Sequence, residues 1–126
     1  MNVLVLSTLP HYVSILPLIH YKEMNHYNTV IVTSSTLSVL FHTYDNKFLT
    51  FLDYFVALIW FLYDIQLGIQ YQILSTILYL NFTVVFININ ITNNYEVVHS
   101  LWHLISACKC YYICNLIHIK IQQQQH

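Results

Sequence analysis

Hydrophobic residues in this chain run in five long stretches separated by short polar breaks, and each break is too brief to hold a domain boundary. Measured against the roughly 20 residues that cross a hydrocarbon core, the pattern predicts membrane helices. The first stretch, about Met1 to His20, carries Pro10, His11 and Pro17, so it is expected to kink or insert only in part. After the polar break Tyr21 to Asn28 comes a second stretch, about Thr29 to Tyr44. Its TSSTLS hydroxyls can bond back to their own helix and are tolerated in lipid for that reason. Asp45, Asn46 and Lys47 end it. The third stretch runs from about Phe48 to Tyr63, is interrupted by Asp53, and exits at Asp64 and Gly68. A fourth, about Ile69 to Ile91, is long enough for one crossing. Within it VVFININI alternates as a strand would, with Asn88 and Asn90 on one face. A lone strand cannot satisfy its backbone in lipid, so helix is expected. Asn93, Asn94 and Glu96 lead into the last stretch, about Val97 to Ile119, closed by Lys120 and a QQQQH tail of low complexity.

The expected fold is therefore all-α: a multi-pass transmembrane helix bundle of about five spans, one domain over residues 1–120, with a disordered polar tail at 121–126. Composition agrees. The 126 residues are 57% hydrophobic and 7% charged, with a mean hydropathy of +0.56, whereas a soluble domain carries roughly 25% charged residues. Four lysines, five acidic residues and no arginine cannot build a solvated shell. The net charge of −1 and the lack of a basic stripe exclude nucleic acid as a partner. The opening MNVLVLSTLP has no positive leader, so the first stretch is expected to stay in place as a helix. Lysines divide evenly between the two sides and do not orient the chain. Asn90-Ile91-Thr92 is a formal glycosylation sequon, meaningful if that end is lumenal.

Candidate chemistry lies in three histidines that occupy apolar stretches, where imidazole is costly and marks a functional site. His42 ends the second stretch, and His99 and His103 stand four residues apart at the start of the last. If each stretch crosses once, His42 and Asp53 share a face, and the next two crossings return the chain to that face at His99. Ser38 with His42, and His99 with His103, are i,i+4 pairs that each share a helix side. Three imidazoles with an open fourth position suit Zn2+ better than Mg2+ or Ca2+, which want oxygen cages. Zinc lowers the pKa of a bound water to about 7. Asp53 could take its proton or orient a ligand, and Ser38 could position the water or donate to an oxyanion.

Asp45 rivals Asp53 but lies where it can simply terminate a helix. Asp64 and Glu96 read as solvated helix ends. His11, His20, His26, His118 and His126 have no partner at ligand spacing and read as surface or interface residues. Cys108, Cys110 and Cys114 fall within seven residues of one another, and Cys108 and Cys110 would lie on different faces of a helix. Packing or acylation fits these cysteines better than a disulfide framework or a metal motif.

At these residues the chain resembles the CREST superfamily of membrane hydrolases, which includes alkaline ceramidases, adiponectin receptors, the post-GPI-attachment phospholipase and myomaker. The shared pattern is Ser-x3-His on the second helix, Asp on the third and His-x3-His on the last. Here it reads Ser38 and His42 in STLSVLFH, Asp53 in FLDYF, and His99 and His103 in HSLWH. LFHTYD, LTFLDYFVALIW and VVHSLWHLISAC look most like the branch of the phospholipase and myomaker, with the ceramidase branch second. The resemblance implies a zinc-dependent hydrolase acting on an ester or amide bond of a membrane lipid, with His42, His99 and His103 as ligands. The alternative it allows is a non-catalytic multi-pass protein of the myomaker type that remodels membranes. The family's seven helices exceed those here by two, both from the region between the Asp helix and the last, so the chain reads as a shortened paralogue, an incomplete gene model or an inactive remnant.

Overall fold

One glycine and two prolines leave the chain few places to turn sharply, so capped helix ends must do most of that work. The computed structural model describes residues 2–90 and 95–126, and these are helical apart from short connections, with no strand among them. Helix α1 (Val3–Thr8) starts at Asn2, whose side chain accepts from the Leu4 N–H. Pro10 opens α2 (Pro10–Ser14), where its missing N–H costs nothing, and Pro17 lies in a single 3-10 turn, Leu16–Leu18. The first apolar stretch is therefore broken at both prolines. A second 3-10 turn, Lys22–Met24, leads into α3 (Asn25–Tyr44). Asp45 ends α3 in the left-handed region, φ 44°, with its N–H on the Phe41 carbonyl at 2.8 Å. Asn46 then caps α4 (Lys47–Gln70) by accepting from the Phe48 N–H. Asp45 is thus a helix terminator.

Helix α4 does not exit at Asp64 or Gly68. Both lie inside it, because the Asp64 carboxylate finds buried partners and Gly68 meets the next helix at close range. A Cβ on Gly68 would stand 3.0 Å from the Leu74 Cα and 3.2 Å from Ile77 Cδ1. The turn comes later, at Gln72 with φ 59°, where the Ile73 N–H reaches back to the Gly68 carbonyl at 2.8 Å. Helix α5 (Leu74–Asn90) covers the VVFININI stretch as helix up to Asn90. The sequon's Ile91 and Thr92, like Asn93 and Asn94, lie outside the described residues. Helix α6 (Tyr95–Gln124) runs into the glutamine tail, which is helical to Gln124 and exposed. Glutamine is a good helix former, so the low-complexity run extends α6 where disorder was expected.

Packing closes these elements into a ring. The N-terminal segment (α1, α2 and the first 3-10 turn) packs on α6, and α1 and α2 also pack on α3. Helix α3 packs on α4, α4 on α5, and α5 on α6. One end of the ring is filled by apolar side chains, among them Leu18, Ile31, Ile77, Ile113 and Ile117, all fully buried. Cys110 and Cys114 join that core and Cys108 is exposed, all three as free thiols. Packing therefore accounts for two of the three cysteines.

Among the described helices α4 alone is long and apolar enough to cross a membrane, while Val3–Leu18 and Leu74–Ile87 are apolar but shorter. Only 11% of the most apolar window of α4 is buried, so Phe48, Phe51, Phe55, Leu58 and Leu62 point away from the bundle.

Gly68→Ala is expected to lower stability by about 1–3 kcal/mol, since the new methyl group meets backbone that must move. Asp45→Gly is expected to leave stability unchanged or raise it, because glycine adopts the left-handed cap without strain. Thermal unfolding distinguishes the two.

Candidate metal centre

The end of α3 and the start of α6 meet at the open end of the ring, because α4 and α5 carry the chain away and back between them. His42 closes α3 one turn after Ser38, and its backbone carbonyl accepts from Asn2 Nδ2 at 3.0 Å, which ties it to the N-terminal segment. His99 and His103 face it from successive turns of α6. One ring nitrogen from each of the three histidines lies within 4.8 Å of the other two. His42 Nε2 and His103 Nε2 are 3.0 Å apart. The ring centroids are 5.1 Å (His42 to His99), 5.1 Å (His42 to His103) and 4.5 Å (His99 to His103) apart.

A four-coordinate zinc with Zn–N bonds of about 2.0–2.1 Å places its nitrogens roughly 3.3 Å from one another. The observed cluster is within small side-chain movements of that arrangement. An all-imidazole donor set favours zinc or a late transition metal over the oxygen-seeking cations. His103 is buried, and His42 and His99 are half-buried. Trp102 stacks on His99, with centroids 5.2 Å apart and planes 19° from parallel, and its indole N–H donates to the Val84 carbonyl at 3.1 Å. That bond ties the His99 turn of α6 to α5.

Below the histidines a cavity of about 340 Å³ runs down the ring, lined by Ser38, Asp53, His99 and His103 among others. Ser38 is buried and Asp53 half-buried. Neither the Ser38 hydroxyl nor the Asp53 carboxylate makes a side-chain hydrogen bond to another described residue. All five residues singled out from the sequence therefore gather at one end of the bundle: the histidines in mutual contact, Ser38 and Asp53 on the cavity wall.

Two features escaped the sequence reading. Asp64, expected to be solvated, is 0% exposed. It accepts from the Tyr27 hydroxyl at 2.6 Å and from Asn81 Nδ2 at 3.3 Å, and pairs with Lys109 Nζ at 3.9 Å. Lys109 also donates to Asn81 Oδ1 at 3.0 Å and lies 5.1 Å from the centroid of the Trp60 ring. A spacing of eleven residues puts Asp64 three turns below Asp53 on the same side of α4, and that period was the available signal. The second feature is His11, expected at a surface. It is 4% exposed and lines the cavity, with its ring 6.2 Å from His103 and 5.9 Å from Trp60. Nothing local in the sequence pairs it, since its neighbours come from α4 and α6. His118, likewise expected to lack a partner, bonds the Tyr21 hydroxyl at 2.8 Å, whereas His20, His26 and His126 are exposed.

Comparison with known protein families, curated proteins and solved structures finds no match. The chemistry of this centre is therefore argued from its own geometry.

Asp64→Ala is expected to cost about 3–5 kcal/mol, because it strands the buried Lys109 charge and removes the acceptor of Tyr27 and Asn81. Cys108→Ser on the exposed face of α6 should be silent. Chemical denaturation of both variants checks the contrast.

Proposed function

We propose that this chain is a membrane-embedded, zinc-dependent hydrolase of the CREST type, acting on an ester or amide bond of a membrane lipid. The observation that carries the reading is the convergence of His42, His99 and His103, of which His99 and His103 line a cavity that also presents a hydroxyl and a carboxylate. Embedding in lipid, by several of the helices together, is supported by the outward aromatic and aliphatic side chains. Phe51 and Phe55 on α4 and Tyr79, Phe82 and Phe86 on α5 are all at least half exposed. Apolar surface of that extent is costly in water and favourable in acyl chains.

His42, His99 and His103 would hold the zinc. When bound, it supplies an electrophile for the scissile carbonyl and makes water acidic enough to react near neutral pH. Asp53 orients the attacking water, receives its proton on the carboxylate, and returns that proton to the departing alkoxide or amine as the C–O or C–N bond of the tetrahedral species breaks. The Ser38 O–H donates to the negative oxygen that develops as the carbonyl carbon becomes tetrahedral. Ala57, Trp60, Phe61 and Val84 give the cavity apolar walls for the hydrocarbon part of the lipid. They also keep bulk water away from the polar groups, which strengthens each of their interactions.

Purified protein is expected to hold one zinc per chain by metal analysis, and His99→Ala to lose it. Asp53→Asn and Ser38→Ala should keep the zinc while cleavage of a fluorogenic phospholipid or ceramide falls about 100-fold or more. Zinc binding with no hydrolysis of either lipid by the unaltered chain would favour the non-catalytic, membrane-remodelling reading. Absence of zinc from folded protein would overturn the metal site itself.

A further inference from the structure

The residue that the zinc reading leaves without a task is His11. Its place is unusual: a histidine almost wholly buried in the N-terminal segment, on the wall of the cavity beside His103. Its Nδ1 lies 3.0 Å from the Thr8 carbonyl. A carbonyl only accepts, so Nδ1 carries the proton and the neutral ring has an unprotonated Nε2. Nε2 has no hydrogen-bond partner among the described residues.

The segment around the ring is held firmly. The Ser7 and Thr8 hydroxyls both donate to the Leu4 carbonyl at 2.9 Å, and the Ser14 hydroxyl donates to the carbonyl of His11 itself. Trp60 meets the ring edge-on, with an interplanar angle of 80°. An imidazole fixed in one tautomer by a backbone carbonyl, with its other nitrogen bare, is a directed acceptor. Its centroid is 6.2 Å from that of His103, farther than the 4.5–5.1 Å that separates the three clustered rings. His11 is outside the group of histidines whose ligand nitrogens lie within 4.8 Å of one another, and its ring stands beside one of them, His103.

We propose that His11 is a positioning residue whose Nε2 accepts a hydrogen bond from the group occupying the open side of the three-histidine site. That group is a water or an N–H or O–H of the substrate. The assignment rests on the zinc reading above. It also divides the polar work of the cavity. His11 orients the donor from the N-terminal segment, Asp53 acts from α4 and Ser38 from α3. Lipid amides and hydroxylated lipids, which carry such a donor next to or near the scissile bond, gain a contact that a simple diester lacks.

The test uses full-length protein in detergent loaded with Co2+, whose visible spectrum reports exogenous ligands, and two probes. Acetohydroxamate carries an N–H donor, and thiocyanate carries none. Two variants separate the roles of the two ring nitrogens. His11→Asn can keep the bond to the Thr8 carbonyl and loses the acceptor at the Nε2 position. His11→Gln can place an acceptor near Nε2 and gives up the Thr8 bond. Cobalt stoichiometry and thiocyanate affinity should match the unaltered chain in both. Acetohydroxamate affinity should fall about tenfold in His11→Asn, the size of one hydrogen bond to a bound ligand, and stay within about threefold in His11→Gln. Unchanged acetohydroxamate binding in His11→Asn would overturn the proposal, as would a loss in His11→Gln alone, which would mark a purely structural ring. Loss of cobalt from either variant would make His11 part of the metal cage or its support and would also overturn it. Failure of the unaltered chain to bind cobalt would overturn the zinc reading and this inference together.

Discussion

A carboxylate with no exposed surface must be met by protein groups, and Asp64 is met by side chains from three other helices. Tyr27 comes from α3, Asn81 from α5 and Lys109 from α6. Breaking any of these contacts leaves a buried charge or dipole unpaired, so the four helices have little freedom to slide past one another. That register decides where Ser38, His42, Asp53, His99 and His103 stand. On α3, Ser38 and His42 lie 11 and 15 residues beyond Tyr27; on α4, Asp53 lies 11 before Asp64; on α6, His103 and His99 lie 6 and 10 before Lys109. At 1.5 Å per residue all five are carried about 9–22 Å toward the same end of the bundle. A polar network at mid-height thus sets the assembly of the histidine cluster above it.

Much of the upper site was legible because its residues come in i,i+4 pairs beside helix ends, and helix periodicity links such pairs without knowledge of the fold. Ser38 with His42 and His99 with His103 are of this kind. The helices themselves were legible from the alternation of apolar runs and polar breaks, and the kink at Pro10 from proline's missing donor. What local pattern could not reveal was long-range satisfaction. Asp64 looked like a helix end because a charge in an apolar run usually marks an exit, yet three partners distant in sequence make it an interior residue. Gly68 looked like a turn, and it is a point inside α4 where the backbone lies close against Leu74 and Ile77 of α5. His11 looked isolated because the rings it touches belong to Trp60 and His103, 49 and 92 residues away.

The N-terminal segment also proves more than a weak first span. Its prolines break it into short helices that lie against α6 and α3, and this arrangement closes the ring on its fifth side. The interruptions at Leu9 and Ile15 keep right-handed helical backbone, so the segment continues in one direction and brings Thr8 and His11 to the cavity wall.

Zinc K-edge X-ray absorption on the purified, full-length protein tests the central claim most directly, because it reads the atoms around the metal. Three imidazole nitrogens at about 2.0–2.1 Å with one further light-atom ligand are expected. Sulfur scattering at about 2.3 Å would move the metal to the cysteines of α6, and that result, or folded protein carrying no zinc, would contradict a three-histidine centre.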